Sequence, residues 1–558
     1  MKVSEAIAKA LVAEGVTLAA GISGQSIGHV LDAIAESPDI KLMYARQDRV
    51  GFDICDGFAR ASGKVAVVFT DAGPAAANLM GGLVNSWGDS VPVLFLAGHN
   101  DHGATASRQT KEIPFLEMFK PVSKWATLLE SPDQVATVIR RAFMQLNTGR
   151  PGPVVIGIPY DISSMEIGDF HYEPVSSQPR VRSGADPAAI EAAIDLLAGA
   201  ARPYVYTGAG ILMSEASEEL VTLATMLTLP VATTINGKSG FPEDHALALG
   251  IGGFARASYG SLPASKLAEA ADVILTVGCG FKKHATRVRP SATTKHIQVD
   301  VDPGEINRDG MATVALAGDA RIILQQLIDA ARARLPASRL APVTERAQEI
   351  AALKGQWEEL SRPLLTSAEK PINPFRVTAT LMRLTDPART IVLHDAGTVR
   401  GSTTQHYMAT RPRGFLGFGV ESAMGWTIGA AMGAKRAAPD DLVVAFVGDE
   451  AFCETALDLE TSVRNDAPFL LIVLNNRGFA DNDGGKSARL AHARFHQGIN
   501  AANLAITLGA HGHTVVNPED LEATLKTAIH QVEAGLTAVV EVKTARVQAS
   551  LYRLWAKD

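Results

Sequence analysis

Two short apolar runs near the carboxyl end restrict the possible folds of this chain more than any other feature. Residues 442–447 and 469–474 are rich in Val, Ile and Leu and are bounded by Gly, Asp or Asn, a pattern typical of strands buried in a parallel sheet. The segment 454–465 between them carries apolar or small residues at helical spacing. The pattern predicts strand, loop, helix and strand, a unit of an α/β sheet with helices on both faces.

A polar residue follows each of the two predicted strands. Asp449 comes after the first strand and Asn476 after the second, and open parallel sheets bind ligands at the carboxyl ends of their strands. We expect the Asp449 carboxylate, the Asn476 amide oxygen and the Gly478 carbonyl to form an oxygen site suited to Mg²⁺. In the competing interpretation this is an ordinary βαβ unit, in which Asp449 and Asn476 only cap turns.

The chain has 558 residues, which exceeds a single hydrophobic core and predicts about three domains. Three blocks alternate short Val, Ile and Leu strands with amphipathic helices, separated by irregular stretches at about 163–186 and 335–374. The second stretch holds a helical piece at 344–357. We therefore predict three doubly wound parallel-sheet domains, at 1–165, 186–335 and 370–558.

Composition excludes several classes of function. A net charge of −7 gives no reason to expect nucleic acid or an anionic membrane as a partner. The three cysteines are far apart and match neither a disulfide framework nor a zinc spacing. No apolar run approaches the roughly 18 residues that a membrane span needs. We expect a cytoplasmic enzyme that acts on a small molecule.

The residues 448–450 and 475–476, read as Gly-Asp-Glu through Asn-Asn, resemble a known cofactor motif. It is the Gly-Asp-Gly through Asn-Asn motif of the thiamine diphosphate (ThDP)-dependent superfamily, which includes acetolactate synthase, benzoylformate decarboxylase and pyruvate oxidase. Other motifs of this superfamily follow in its order along the chain. They are similar to residues 21–24, 46–48, 56–60, 73–78, 208–210, 299–303, 395–397 and 424–425. The resemblance implies pyrimidine-binding, middle and diphosphate-binding domains, with ThDP and Mg²⁺ as cofactors.

The resemblance also implies how the cofactor is activated. In the family ThDP attacks a carbonyl carbon and accepts the electron pair released when a carbon–carbon bond breaks. A glutamate bonded to its pyrimidine ring promotes the proton loss that activates it. Asp48 occupies the place of that glutamate and is shorter by about 1.5 Å, and a misplacement of that size can cost on the order of 100-fold in rate. The competing interpretation is that Asp48 only caps the helix 49–62.

Several further residues are assigned to the cofactor by the resemblance. Met424 falls where the family places an apolar residue beneath the thiazolium ring, although Met is also a common core filler. Glu450 replaces the last Gly of Gly-Asp-Gly, and we expect its carboxylate to turn away from the diphosphate because like charges repel. The other positions expected to contact the cofactor are Gly73, Asn78, Gly448, Asp449, Ala451, Asn476 and Gly478.

Four residues are candidates for contact with the substrate. Asp71 lies where relatives carry a substrate-facing His or Thr, so that a second carboxylate near Asp48 could have a raised pKa and act as a general acid. A simple turn aspartate is the alternative. Gln25, His99 and His102 lie on loops that line the cleft in the family, but a His on a loop is also commonly a surface or turn residue.

The resemblance implies carbon–carbon bond cleavage next to a carbonyl, with a 2-keto acid as the substrate. Decarboxylation or lysis is the preferred function. Carboligation of the acetolactate synthase type is the second, because the segment 477–485 lacks the Trp-bearing stretch usual in those enzymes. A binding or regulatory protein without turnover is a third class, which the unusual Asp48 and Glu450 keep open.

Two further expectations concern the middle domain and assembly. The turn 208–210 could cradle a nucleotide such as FAD, but it does not complete the G-x-G-x-x-G pattern, so FAD is the less expected cofactor. In the family, ThDP lies between the pyrimidine-binding domain of one chain and the diphosphate-binding domain of another. The resemblance therefore implies a homodimer or a homotetramer.

Overall fold

The computed structural model describes residues 1–104, 107–252, 259–280, 293–308, 310–340, 343–419, 421–478, 498–547 and 551. Over these residues the chain forms three parallel sheets of six strands each, with flanking helices. The predicted fold class is confirmed. Among the described helices, none combines the length and the apolar character that crossing a bilayer requires.

The first sheet has the strand order β2-β1-β3-β4-β6-β5. Its strands are β1 (Leu18–Gly21), β2 (Lys41–Tyr44), β3 (Ala66–Thr70), β4 (Val93–His99), β5 (Trp125–Leu128) and β6 (Val154–Pro159). Its helices are α1 (Val3–Ala13), α2 (Gly28–Ala35), α3 (Asp48–Ser62), α4 (Pro74–Asn78), α5 (Met80–Asp89), α6 (Phe115–Phe119), α7 (Val135–Asn147) and α8 (Tyr160–Ser164).

The second sheet has the order β12-β11-β10-β7-β8-β9. Its strands are β7 (Pro203–Thr207), β8 (Val231–Thr233), β9 (Ala248–Ile251), β10 (Val273–Val277), β11 (Lys295–Asp300) and β12 (Val314–Ala317). Its helices are α9 (Pro187–Gly199), α10 (Gly210–Met213), α11 (Ser217–Leu227), α12 (Leu262–Ala270) and α13 (Ala320–Arg334).

The third sheet has the order β14-β13-β15-β16-β18-β17 and follows the long helix α14 (Thr344–Leu365). Its strands are β13 (Thr390–His394), β14 (Phe415–Gly417), β15 (Leu442–Gly448), β16 (Leu470–Asn475), β17 (His511–Val515) and β18 (Ala538–Lys543). Its helices are α15 (Pro374–Leu384), α16 (Thr398–Thr404), α17 (Trp426–Ala437), α18 (Asp449–Thr455), α19 (Leu459–Arg464), α20 (Ala501–Thr507) and α21 (Leu521–Glu533).

The first and third sheets are buried on both faces. In β3, Val68 belongs to one apolar cluster, whereas Val67 belongs to another on the opposite face. In β15, Val443 and Val444 likewise belong to two different apolar clusters on opposite faces of the sheet. Successive side chains of a strand point to opposite faces, so continuous apolar runs such as 442–447 are required where helices cover both sides.

The first and third sheets are joined by the packing of α3 against α17. A Cβ atom on Gly57 would collide with the carbonyl oxygen of Ala430, and one on Gly433 would collide with that of Ile54. Glycine is therefore required at both positions for the two helix backbones to approach. The indole Nε1 of Trp426 donates to the buried Asp56 carboxylate at 2.8 Å, which adds a polar contact at the same boundary.

The local structure around Asp449 differs from its prediction in one respect. The predicted helix 454–465 begins earlier, at Asp449, and is divided into α18 and α19 by a 3₁₀ turn at residues 456–458. Thr455 leaves helical geometry there and donates from Oγ1 to the carbonyl of Gly425 at 2.9 Å. A tertiary hydrogen bond thus overrides the helical periodicity. The piece predicted at 344–357 is also longer and continues to Leu365.

Candidate active site at the carboxyl edges of the first and third sheets

Asp449 and Asn476 meet because β15 and β16 are paired in parallel and end at the same edge of the third sheet. Asp449 is 2% exposed, and its Oδ2 accepts from the Gly478 backbone N–H at 2.9 Å. The Oδ1 atom of Asn476 is buried and has no hydrogen-bond partner among the described residues. The three residues predicted to bind the metal therefore lie together.

The electrostatics of this group fit a bound cation. Burial, and to a smaller extent the nearby charge of Glu450, raise the pKa of Asp449 to about 6, against backbone hydrogen bonds that lower it. A divalent cation would stabilise the Asp449 carboxylate and would give the Asn476 oxygen a partner. The described part of the chain contains no group of three His, Cys, Asp or Glu that could hold a metal. The proposed set instead combines one carboxylate with neutral oxygens, which suits Mg²⁺.

Asn475 and Glu541 support the turn that carries Asn476. In the sequence, Asn475 stood out only as the first residue of the Asn-Asn pair, and Glu541 was not singled out. The Nδ2 of the buried Asn475 donates to Glu541 Oε1 at 2.6 Å, and its Oδ1 accepts from the Arg477 N–H at 3.1 Å. Glu541 is fully buried in β18. A glutamate inside the otherwise apolar run 538–542 was the sequence signal for this support, because charged residues are almost never fully buried unless paired.

Glu450 was expected to turn its carboxylate outward. Its side chain is half-buried, and its Oε2 atom is enclosed without a hydrogen-bond partner in the described structure. Burial raises the pKa of this carboxyl group. Glu450 lies in the first turn of α18, which Gly448 precedes as the N-cap, and a helix amino terminus favours a carboxylate. Ala451, which follows, is buried.

Asp48 does not cap α3, so the interpretation of this residue as a helix cap is wrong. The side chain of Gln47 accepts from the Val50 N–H at 3.2 Å and takes that place. Asp48 is 8% exposed. It accepts from Thr70 Oγ1 at 2.8 Å and from Asn78 Nδ2 at 3.1 Å. Asp48 is thus held by the end of β3 and by α4, and the second of these partners was itself a predicted site residue.

Asp71 does not have the raised pKa that a general acid would need. Burial alone would raise the pKa of this carboxyl group, but its hydrogen bonds to Lys111 and Ser26 outweigh burial and lower the pKa. The Nζ of Lys111 lies 2.5 Å from Asp71 Oδ2, and the Ser26 N–H donates to Oδ1 at 3.1 Å. Asp71 is therefore held as a carboxylate that ties the loop after β1 to the loop that carries Lys111.

The other predicted substrate residues lie on loops at the same edge. Gln25 is exposed in a 3₁₀ turn after β1. His99 is buried at the end of β4, with its Nδ1 3.1 Å from the carbonyl of Asn100. Its ring packs edge-on against Phe115 at 5.6 Å between centroids. His102 is exposed, and its backbone N–H donates to the side chain of an aspartate on α8.

Arg49 connects the two halves of the candidate site, and sequence analysis missed it. Its Nη2 donates to the carbonyls of Ala423 and Met424, and its Nη1 lies 3.4 Å from Glu454 Oε2. Met424 is half-buried and packs against the apolar cluster shared by the first and third sheets. Within one chain, the end of α3 that carries Asp48 therefore contacts the segment that carries Met424.

The glycine turn of the middle domain lines a cavity of about 420 Å³ that all three domains enclose. Two donors of this turn are already used, because the Gly208 N–H donates to Val277 O at 2.9 Å and the Gly210 N–H donates to Gly278 O at 3.1 Å. The helix that follows, α10, is only four residues long. These features do not fit a cradle for the pyrophosphate of FAD at this turn.

Comparison with known proteins agrees with the order of the domains. Residues 1–118 match the model of the thiamine pyrophosphate enzyme N-terminal TPP binding domain, residues 190–327 match the central domain, and residues 395–542 match the C-terminal TPP binding domain. Thiamine pyrophosphate is another name for ThDP.

The curated relatives include acetolactate synthase large subunits. A probable acetolactate synthase large subunit of Methanocaldococcus jannaschii is 32% identical over 556 residues, covering 97% of this chain and 92% of the relative. The acetolactate synthase isozyme 3 large subunit of Escherichia coli K12 is 28% identical, with 97% and 94% covered. These matches extend over almost the whole length of both chains, and three family models match in order. The chain belongs to the ThDP-dependent enzyme superfamily.

Proposed function

We propose that this protein is a ThDP- and Mg²⁺-dependent carboligase of the acetolactate synthase type. It would release CO₂ from one 2-keto acid and join the remaining fragment to the carbonyl carbon of a second. The observation that carries this proposal is the similarity, along 97% of the chain, to relatives named acetolactate synthase large subunits. Carboligation thus replaces decarboxylation as the preferred function.

The buried oxygens of the third domain supply the metal site. Asp449, Asn476 and the Gly478 carbonyl would hold Mg²⁺, for the reasons of charge and unsatisfied hydrogen bonding given above. The backbone from Gly448 to Ala451 opens α18, and a helix amino terminus with its free N–H groups favours phosphate oxygens. Burial raises the pKa of the Glu450 carboxyl group in the first turn of this helix.

Asp48 would act on the pyrimidine ring from the first domain. ThDP, when bound, supplies a carbanion that attacks a carbonyl carbon and an electron sink for the pair released on cleavage. Asp48 would hold a proton at the pyrimidine ring nitrogen. Thr70 and Asn78 fix the orientation of its carboxylate, which preorganises the group for that hydrogen bond. Gly73 precedes α4 and so places Asn78.

Decarboxylation or lysis of a 2-keto acid is the second candidate. The segment 477–497 contains no Trp, whereas acetolactate synthases usually carry one in this substrate segment. Residues 479–497 lie outside the described structure. The absence of Trp from this segment of the sequence weakens acetolactate synthesis and favours a reaction that ends after CO₂ or an aldehyde is released.

Product analysis distinguishes the two candidates. The purified chain is loaded with ThDP and Mg²⁺ and given pyruvate and longer 2-keto acids, and both CO₂ release and keto acid consumption are measured. Carboligation consumes two keto acid molecules for each CO₂ and yields a branched hydroxy-keto acid. Simple decarboxylation consumes one and yields an aldehyde. A protein that binds ThDP without proton exchange at the thiazolium carbon belongs to the third, non-catalytic class.

Assembly into a homodimer or homotetramer, with ThDP between chains, is part of the same proposal. The names of the relatives, which call them large subunits, support assembly into a complex. Arg49 contacts Met424 within one chain. This contact supports an alternative arrangement, in which the first and third domains of the same chain both contribute to one ThDP site. A cytoplasmic location stays a prediction.

A further inference from the structure

Lys111 lies against the turn that holds both hydrogen-bond partners of Asp48. A Cβ atom on Gly73 would lie 2.5 Å from the Lys111 carbonyl oxygen and 2.7 Å from its Cβ. Thr70 ends β3 three residues before Gly73, and α4 with Asn78 begins one residue after it. The backbone of Lys111 therefore rests on the structural element that positions the proposed activating carboxylate.

The backbone of this loop is held in an uncommon conformation. Lys111 has a φ of 68° and Arg108 a φ of 58°, in the left-handed region that side chains other than Gly rarely adopt. Such conformations persist where surrounding contacts enforce them, and they concentrate at functional sites. With its backbone in this conformation, Lys111 directs its ammonium group to Asp71, with Nζ 2.5 Å from Oδ2.

A 2-keto acid that approaches Asp48 needs a cation, because its own carboxylate would meet two carboxylates at this edge. The arginines that flank Asp48 are turned toward the third domain. Arg46 Nε donates to Glu460 at 2.8 Å, and Arg49 donates to the Met424 carbonyl. The side chain of Lys111, by contrast, is 40% exposed, so its ammonium can exchange one carboxylate partner for another.

We propose that Lys111 is the residue that selects a carboxylate-bearing substrate, with Asp71 as its partner when no substrate is bound. This proposal rests on the proposed function. The substrate carboxylate replaces Asp71 at Lys111 Nζ, which leaves the keto carbon on the side of Asp48. Asp71 retains its hydrogen bonds from Ser26 and therefore remains in place when Lys111 leaves it.

A purely structural role for the ion pair predicts a different outcome. If the pair only fixes the loop, Lys111→Met and Asp71→Asn break the same contact and should have the same effect. If Lys111 binds the substrate, Lys111→Met raises KM for a 2-keto acid by roughly tenfold to hundredfold. Asp71→Asn then lowers KM, because it removes the competing carboxylate.

The test compares a charged and an uncharged substrate. KM and kcat are measured for the best 2-keto acid and for the uncharged 1,2-diketone in which an acetyl group replaces its carboxylate. Lys111→Met should raise KM for the 2-keto acid and leave KM for the diketone unchanged. Lys111→Arg, which keeps the positive charge, should keep KM for the 2-keto acid close to that of the parent protein. Lys120→Met, at an exposed lysine nearby, is the matched control and should change neither value.

A second measurement separates this proposal from the proposed function. Pyruvate binding is measured by calorimetry in the ThDP-loaded Asp48→Asn protein, in which turnover is expected to stop, with and without Lys111→Met. If the parent protein shows no turnover, the proposed function fails, and weaker pyruvate binding in Lys111→Met still supports the role of Lys111. Three results would overturn the proposed role of Lys111. Lys111→Met could change KM equally for both substrates, or Lys111→Met and Asp71→Asn could have equal effects. Pyruvate binding could also be absent or independent of Lys111.

Discussion

Arg49 donates a hydrogen bond from its guanidinium to the backbone carbonyl of Met424, across the boundary between the first and third domains. Arg49 is the neighbour of Asp48, and Met424 precedes Gly425, whose position is fixed by contacts with Thr455 of α18. This one side chain therefore joins the segment of the proposed activating carboxylate to that of the proposed metal site.

Replacement of Arg49 should remove the contact between the segment that carries Asp48 and the segment that carries Met424. Arg49→Ala removes the hydrogen bonds of Nη2 to two partly buried carbonyls, and an ion pair with the fully buried Asp53 at 3.4 Å. We expect the free energy of unfolding to fall by about 2–3 kcal/mol and kcat to fall by more than tenfold. Urea unfolding and steady-state kinetics provide the measurements. Arg46→Ala, at an exposed arginine bonded to Glu460, is the control and should leave the unfolding midpoint unchanged.

Removal of the Asp449 carboxylate should abolish cofactor binding. Asp449 is the charged member of the proposed Mg²⁺ site, so Asp449→Ala should weaken ThDP binding by at least a hundredfold, on the order of the loss seen when a buried charged partner is removed. The fold should survive, because removal of a buried carboxylate with a raised pKa relieves a desolvation cost. Calorimetry with ThDP and Mg²⁺ checks this, with Asp440→Ala at the surface as control. Unchanged ThDP binding would rule out this metal site.

Because the pKa of Asp449 is raised, both the stability of the metal-free protein and its affinity for Mg²⁺ should depend on pH, in opposite directions. In the metal-free protein the folded pKa of about 6 exceeds the usual aspartate value of 3.8, so the stability due to its protonation is lost as pH rises through about 6. Metal binding has the opposite dependence, because the ligand must be ionised. Mg²⁺ affinity should fall about tenfold for each pH unit below about 6. Asp449→Asn should remove both dependences; a parent-like pH profile in this variant would assign them to another group.

The fold and the pairing of Asp449 with Asn476 could be predicted because both depend on local pattern. Apolar runs bounded by polar residues identify parallel strands, and parallel strands end at one edge. The roles of Arg49 and Lys111 could not be predicted, because each depends on contacts with segments distant in the sequence. The division of α18 from α19 was missed for the same reason, since the bond from Thr455 to Gly425 is tertiary. The enclosure of Glu450 likewise follows from packing and not from its neighbours in the chain.

Mixing two inactive variants tests whether one site takes residues from one chain or from two. If ThDP lies between chains, a mixed dimer of Asp48→Ala and Asp449→Ala has one site with both defects and one intact site, so activity returns after subunit exchange. If Asp48 and Asp449 of one chain serve the same cofactor, as the Arg49 contact with Met424 allows, every site keeps one defect and no activity returns. Sedimentation of the ThDP-loaded protein, which should show at least a dimer, is measured in parallel.

The final prediction concerns Asp48 and its two hydrogen-bond partners. If its carboxylate drives activation, Asp48→Asn should abolish proton exchange at the thiazolium carbon, because an amide cannot hold the same charge against the pyrimidine ring. ThDP binding should remain, because the diphosphate and Mg²⁺ dominate affinity. Exchange is measured by NMR in deuterated water.

Asp48→Glu gives the sharper result, because the longer side chain tests the geometry. The present carboxylate lies 2.8 Å from Thr70 Oγ1 and 3.1 Å from Asn78 Nδ2, in a site that is 8% exposed. An extra methylene has little room there, so glutamate should lose one of these bonds and destabilise the fold by about 1–3 kcal/mol. If the pocket instead matches the usual geometry of the family, Asp48→Glu should raise the exchange rate without loss of stability. An Asp48→Asn protein that exchanges as fast as the parent would show that the activating group lies elsewhere.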